Sequence, residues 1–275
     1  MKQTALAFIG AGNMARSLIG GLIADGWDPA AIHVSDPDPE QLGALTGRLG
    51  IHGHSDNRSA ARAAEVLVLC VKPQQLHEVG RELAEVVQER RPLVISIAAG
   101  VRLGDLQRWL GGDCPLVRCM PNTPALVQSG ATALFANEAV SSAQRDIAEN
   151  IMRAVGLALW VEEEAQLDAV TALSGSGPAY IFLVIEALEE AGRELGLEEG
   201  SARLLALQTA FGAARMALES SEDAAVLRQR VTSPGGTTEK ALEVLENGGL
   251  RTLIRDAMVA ARDRARELAD QLGAA

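Results

Sequence analysis

This chain is poor in aromatic side chains, cysteine, histidine and positive charge, and each shortage removes a class of function. Four phenylalanines, three tryptophans and one tyrosine among 275 residues are too few for platforms that stack nucleic-acid bases. Lys and Arg number 25 against 36 Asp and Glu, a formal charge of -11, so the positive footprint that nucleic acid requires is missing. Cys70, Cys114 and Cys119 make neither a disulfide framework nor a zinc spacing, which suits a reducing compartment. The most apolar run, Ala179 to Ile185, stops at Glu186, short of the ~20 residues that span a bilayer. The opening MKQTALAFIGAGNMA has one lysine and an apolar run broken by glycines, unlike a secretory leader. The expectation is a cytoplasmic protein with no membrane and no nucleic-acid partner.

What is present is apolar mass. At 48% hydrophobic residues the chain has enough for one large core or two smaller ones, and disorder is excluded. Short β-rich runs at 5–9, 32–35, 65–71, 93–98 and 116–120 alternate with helix-like stretches. Further runs at 131–135 and 157–161 extend the pattern. Near-continuous apolar strands separated by helices predict a parallel sheet covered on both faces. After Glu162 the β signal ends, and helical segments are expected at 180–195, 202–218, 224–230, 238–246 and 250–272. The reading is therefore an α/β domain over 1–162 and an all-helical domain over 163–275. The segment YIFLVIEAL is apolar on almost every side. A domain of ~110 residues has too little core to cover it, so a second subunit is expected to do so.

The chemistry-bearing segments sit at turns. Gly10-Ala11-Gly12-Asn13-Met14-Ala15 is G-x-G-x-x-A between the first strand and the first helix. Gly10 permits the tight turn, Gly12 admits a pyrophosphate to the backbone, and the helix N-terminus faces its charge, as in Rossmann-type dinucleotide binding. Ser35 and Asp36 end the second strand, where an acid bonds the ribose hydroxyls of NAD and repels a 2′-phosphate. An Asp-Pro turn residue is the plainer alternative for Asp36. Val71-Lys72-Pro73, Ala98-Ala99-Gly100 and Met120-Pro121-Asn122 end later strands and face one crevice, although Lys72 reads equally as a solvated lysine. In the helical half, Leu173-Ser174-Gly175-Ser176-Gly177-Pro178-Ala179 reads as a small-residue loop ahead of a helix, either a cap or an anion-receiving turn. The stretch 231–238, VTSPGGTT, is a second loop rich in glycine and hydroxyls. Of the four histidines, none lies in these turns, and His52 and His54 read as surface groups rather than metal ligands. A dehydrogenase acting on a carbonyl would want such an acid/base, whereas a protonated cyclic imine brings its own proton.

These segments together resemble pyrroline-5-carboxylate reductase along essentially the whole chain: FIGAGNMA, LVLCVKPQ, ISIAAGV, VRCMPNTPA, DAVTALSGSGPAY and VTSPGGTTEKALEVLENGG. The resemblance implies reduction of L-1-pyrroline-5-carboxylate to L-proline with NADPH, NAD being left open by Asp36. It also implies a homodimer joined through the helical domain, with such dimers assembling into decamers. Residue by residue, it implies cofactor contacts at Ile9, Gly10, Ala11, Gly12, Asn13, Met14, Ser35, Asp36, Asn57, Val71, Lys72, Pro73, Ala98, Ala99, Gly100, Met120, Pro121 and Asn122. It implies substrate contacts at Glu164, Ser233, Gly236, Thr237 and Thr238, with the Thr238 hydroxyl on the ring nitrogen, and no metal. Two rival readings are a β-hydroxyacid-dehydrogenase-like oxidoreductase and a non-catalytic dinucleotide sensor. The first wants a lysine on the helix 180–195, which has none. The second leaves both hydroxyl-rich segments of the helical half unexplained.

Overall fold

The structure is a computed structural model and describes residues 4–274. Eight strands form one sheet: β1 Leu6–Ile9, β2 Ile32–Ser35, β3 His52–His54, β4 Val66–Leu69, β5 Leu93–Ser96, β6 Leu116–Met120, β7 Gly130–Ala136 and β8 Gly156–Trp160. Their order is β3-β2-β1-β4-β5-β6-β7-β8. Helices α1 Asn13–Ala24, α2 Pro39–Leu49, α3 Asn57–Arg62, α4 Leu76–Arg90, α5 Leu103–Trp109 and α6 Ser142–Arg153 connect them. The remaining helices are α7 Gln166–Val170, α8 Gly177–Glu194, α9 Glu199–Glu219, α10 Ala224–Arg230, α11 Thr237–Asn247 and α12 Leu250–Gly273.

The apolar strands are continuous because both sheet faces are covered. Successive side chains alternate between faces: Leu6, Phe8, Ile32, Val34, Val66 and Val68 pack with α1 and α6 in one cluster. Ala7, Ile9, Leu67, Leu69 and Val94 pack with α3, α4 and α5 in the other. Local chemistry sets the helix ends. Asp38 accepts from the N–H groups of Glu40 and Gln41 at the start of α2, and Ser141 and Gln144 form a reciprocal capping box on α6.

The sheet departs from the all-parallel expectation at one place. β7 runs antiparallel to β6, while every other pairing is parallel. A parallel return needs a crossover of about a dozen residues or more, whereas 121–129 holds only a short 3₁₀ turn. Backbone packing divides the chain into Met1–Ser176 with Ala261–Ala275, and Gly177–Ala260. The sequence reading put its domain boundary at 162/163. The difference has a cause in the first unit: Leu167 and Asp168 of α7 are buried there, as are Ala265 and Ala269 of α12, whose arginine Arg266 bonds Asp168 at 3.4 Å.

Two local expectations are corrected. The LSGSGPA stretch is not a loop: Thr171–Gly175 is a π-turn that joins α7 to α8, and the Ser176 N–H donates to the Thr171 carbonyl at 2.8 Å. Because α7, the π-turn and α8 run on, Gln166–Glu194 is long and apolar enough to cross a membrane by length and composition, contrary to the count from Ala179 to Ile185 alone. No residue of α8 is buried within the chain, and Ile181, Phe182, Leu183 and Val184 are all more than half exposed. In the unit Gly177–Ala260 the buried hydrophobics are Ala202 and Ala206 among the described residues.

Gly21 of α1 marks the tightest packing on the sheet's first face. An added Cβ would overlap the Ala154 carbonyl and lie 3.1 Å from Val155 Cγ1. Gly21→Ala is therefore expected to destabilise the protein by about 1–3 kcal/mol, despite the better helix propensity of alanine. Denaturant unfolding checks this, and an unchanged or raised midpoint would contradict the packing described.

Candidate active site

The strand order reverses between β1 and β4, and in open α/β sheets ligands bind beyond the carboxyl ends at such a point. Gly10 leaves β1 with φ +102, and a Cβ there would lie 2.9 Å from the Cys70 carbonyl at the end of β4, so both counts demand glycine. Gly12 is the N-cap of α1, without a side-chain cap and without an acid in the first turn. Nothing lies within 4 Å of where its Cβ would be. Exposed helix N–H groups beside open space suit a pyrophosphate, so the residues present fit a dinucleotide.

Asp36 has backbone partners on both oxygens. Oδ2 accepts from the Ala11 N–H at 2.7 Å and Oδ1 from the Asp38 N–H at 2.9 Å, so it shapes the glycine loop as well as standing at its rim. Ser35 is buried, and its hydroxyl donates to Asn57 Oδ1 at 2.8 Å, while Asn57 Nδ2 donates to Glu82 Oε2 at 2.8 Å. The amide of Asn57 is thus held within the chain. His33 Nδ1 and His54 Nε2 lie 2.9 Å apart, with the His52 ring stacked 5.0 Å from His33. Burial, then the neighbouring imidazole charge, holds His33 below the ordinary histidine value.

The later turns follow the adjoining strands. Lys72 is exposed and begins a 3₁₀ turn at Pro73, while Val71, close to Gly10, is half-buried. Ala98 is buried, Ala99 exposed, and Gly100 has φ +76. Met120 is half-buried and Pro121 buried. Asn122 staples its surroundings: Oδ1 accepts from the Ala131 N–H at 2.8 Å, and Nδ2 donates to the Ser174 carbonyl at 3.0 Å. Ile9, Ala11, Asn13 and Met14 complete the first turn, with Asn13 exposed and Ile9 buried.

Glu164 reveals a group the sequence reading did not single out. Its Oε1 accepts from Arg118 Nη1 at 2.9 Å and from the Leu103 N–H at 2.8 Å. One carboxylate therefore ties β6, two residues before Met120, to the start of α5, just beyond Gly100. Arg118 is buried, and a cavity of about 500 Å³ opens here, lined also by Arg102, Asp168, Arg266 and Asp270. A lone arginine inside the apolar run LVRCM was the available signal, because buried arginines are nearly always paired.

In the helical unit, Gly236 caps α11 without a side-chain bond, and Thr237 and Thr238 fill its first turn. Gly235 has φ +73, and its N–H donates to Glu239 Oε2 at 2.7 Å, while the Gly236 N–H donates to the Ser233 carbonyl at 3.0 Å. These bonds fold the loop, leaving Ser233 and Thr237 exposed and Thr238 half-buried. Burial pushes the Cys114 thiol up to about 11, and pushes Cys70 and Cys119 up as well, so none is poised as a nucleophile. Among the described residues, no group of three or more His, Cys, Asp or Glu could hold a metal ion.

Comparison with known proteins agrees across the chain. Residues 164–268 match the family described as pyrroline-5-carboxylate reductase dimerisation, and residues 5–100 match NADP oxidoreductase coenzyme F420-dependent. The chain is 50% identical to a pyrroline-5-carboxylate reductase of Pseudomonas aeruginosa over 99% of its length and 100% of the relative. A solved pyrroline-5-carboxylate reductase from Coxiella burnetii is 52% identical, with TM-score 0.94 over 96% of this chain and 98% of that one. A Plasmodium falciparum pyrroline carboxylate reductase with NADP bound is 28% identical, with TM-score 0.85 over 98% and 99%.

Removing the Glu164 carboxylate would leave Arg118 buried and unpaired. Glu164→Ala is expected to lower stability by about 2–4 kcal/mol, toward the lower end because the Glu164 side chain keeps 26% exposure. Glu164→Gln, which still accepts both hydrogen bonds, should lose less. Equal losses in a denaturant titration would show that the bonds described carry no stability.

Proposed function

The chain belongs to the pyrroline-5-carboxylate reductase family, and from that membership and the turn geometry we propose how its residues reduce L-1-pyrroline-5-carboxylate to L-proline. The observation that carries the reading is the uncapped α1 N-terminus behind Gly10 and Gly12, joined in one chain to the loop 233–238. What NADPH supplies when bound is the hydride. Gly10 to Met14 would receive its pyrophosphate, Ser35, Asp36 and Asn57 would lie toward the adenosine ribose, and Val71 to Pro73 would flank the phosphates and sugars. Ala98 to Gly100 and Met120 to Asn122 would frame the nicotinamide. Asp36, with both oxygens on backbone N–H groups, shapes the loop, and a carboxylate at this place leaves NAD open beside NADP.

The substrate nitrogen enters as an iminium. When hydride adds to the ring carbon, the C=N electron pair moves onto nitrogen, the positive charge disappears, and the proton already there stays on the amine. No residue with a shifted pKa is required, which accounts for the absence of histidine from every turn. Thr238 holds the ring nitrogen through its hydroxyl, and Ser233, Gly236 and Thr237 receive the carboxylate with hydroxyl and N–H donors. Glu164 keeps Oε2 free of the Arg118 and Leu103 bonds, both of which fall on Oε1, and that oxygen is its share in binding substrate. The protein is homo-oligomeric; the finer reading is a cytoplasmic homodimer through the helical half, with decamers built from such dimers. The exposed side chains of α8 support it, since burying what Ile181, Phe182, Leu183 and Val184 still expose would contribute roughly 1–2 kcal/mol each.

Thr238→Ala is expected to lower kcat/KM by roughly 10–1,000-fold, the loss of one positioned hydrogen bond and some orientation. Thr238→Ser should keep most activity, and both should leave NADPH affinity unchanged. Single-turnover hydride transfer is the test; if Ala and Ser were equally impaired, the hydroxyl would have no such role. Gly12→Val should abolish NADPH binding while the protein stays folded, since the space it enters is empty. Calorimetry showing unaltered NADPH affinity would overturn the loop assignment. Sedimentation at micromolar concentration should find no folded monomer.

A further inference from the structure

Between α4 and α5 lies a cavity of about 390 Å³ lined by His77, Arg81, Ala84, Arg108, Trp109 and Gly111. Its size falls in the range of small-molecule sites. Its lining residues include no carboxylate; Asp105, outside the lining, pairs with Arg108. Arg81 is exposed and its guanidinium has no partner among the described residues. Arg108 uses Nη2 alone, on Asp105 at 3.1 Å and on the Gly273 carbonyl at 2.7 Å, leaving Nε and Nη1 without partners among the described residues. Trp109 is 4% exposed, and its Nε1 is buried with no acceptor. The His77 ring lies 5.1 Å from that indole. Gly80 brings the helices close, since a Cβ there would be 3.0 Å from Trp109 Cβ, so the donors stand on a firm frame.

We infer that this cavity binds a small phosphate-type oxyanion, gripped by Arg81 and Arg108. Two guanidinium groups from separate helices present forked N–H donors, a geometry suited to phosphate oxygens. Arg108 is held through Nη2 by Asp105 and the Gly273 carbonyl, which leaves its Nε and Nη1 for a ligand. None of the lining residues belongs to the catalytic set above or to the matched dimerisation segment 164–268. The site is thus independent of the hydride chemistry.

The test uses the full-length protein labelled with 5-fluorotryptophan and saturated with NADPH, so that the α1 turn is already filled. Inorganic phosphate and glycerol 3-phosphate are titrated separately, with chloride at matched ionic strength as control, and the Trp109 fluorine resonance is assigned with Trp109→Phe. Expected is a saturable shift of that resonance with at least one phosphate compound and none with chloride. Tighter binding of the ester assigns the ligand to phosphate monoesters, and tighter binding of the free ion assigns it to inorganic phosphate. Arg81→Ala, at an exposed position that should not disturb folding, should weaken binding about tenfold, the loss of one charge-assisted contact, with turnover in phosphate-free buffer unchanged. An unmoved Trp109 resonance, an equal shift in chloride, or unaltered affinity in Arg81→Ala would overturn the site.

Discussion

The parallel pairing of β1 with β4 is the constraint from which the α/β unit takes its shape. The Cys70 N–H donates to the Ile9 carbonyl at 2.8 Å, and the Gly10 N–H donates to the Ser35 carbonyl at 2.8 Å. The ends of β1, β2 and β4 are therefore locked side by side, and the chain has to turn away within one residue. Only a residue without a Cβ can turn at φ +102 against the Cys70 carbonyl. The same crowding aims α1 so that its uncapped N-terminus stands beside the strand ends. The proposed phosphate recognition is in this sense a by-product of strand pairing: the N–H groups that binding would need are those that packing leaves unsatisfied.

The helical unit obeys a different constraint. Its helices form from strong local propensity, with α9 and α11 spanning Glu199–Glu219 and Thr237–Asn247. Yet two alanines are the buried hydrophobics of Gly177–Ala260 among the described residues. Leu183, Leu204, Phe211 and Leu253 all stay more than half exposed. Such surfaces are unfavourable in water and are covered in stable proteins by another chain. Family membership in a set with a named dimerisation segment agrees with that physical requirement.

Within the first unit, the polar groups near the strand ends act mainly on one another. Asp36, Asn57, Asn122 and Glu164 each hold backbone or side-chain partners inside the chain. A site made of turns requires this, because turns have few ladder hydrogen bonds of their own and a displaced turn loses its orientation. The chemistry asks correspondingly little of them. In the proposed reaction, an iminium that carries its proton needs a hydride, a hydroxyl against nitrogen and donors for a carboxylate, and no strong acid.

The glycine turn, the strand runs and the change from α/β to all-α were legible along the chain, because periodicity and small-residue spacing are local properties. So was the need for a partner, since YIFLVIEAL has no polar side to turn to water. What one dimension concealed depends on distance through space. The antiparallel return of β7 follows from the reach of 121–129, and the helical state of LSGSGPA follows from a π-turn continuous with α7 and α8. The Arg118–Glu164 pair joins residues 46 apart, and Arg266 reaches Asp168 across 98. The sequence by itself determined most of the strands and helices and which turns carry glycine and hydroxyl. Only the tertiary structure decided which polar groups are already occupied, because that depends on which partners the packed sheet brings within hydrogen-bond reach.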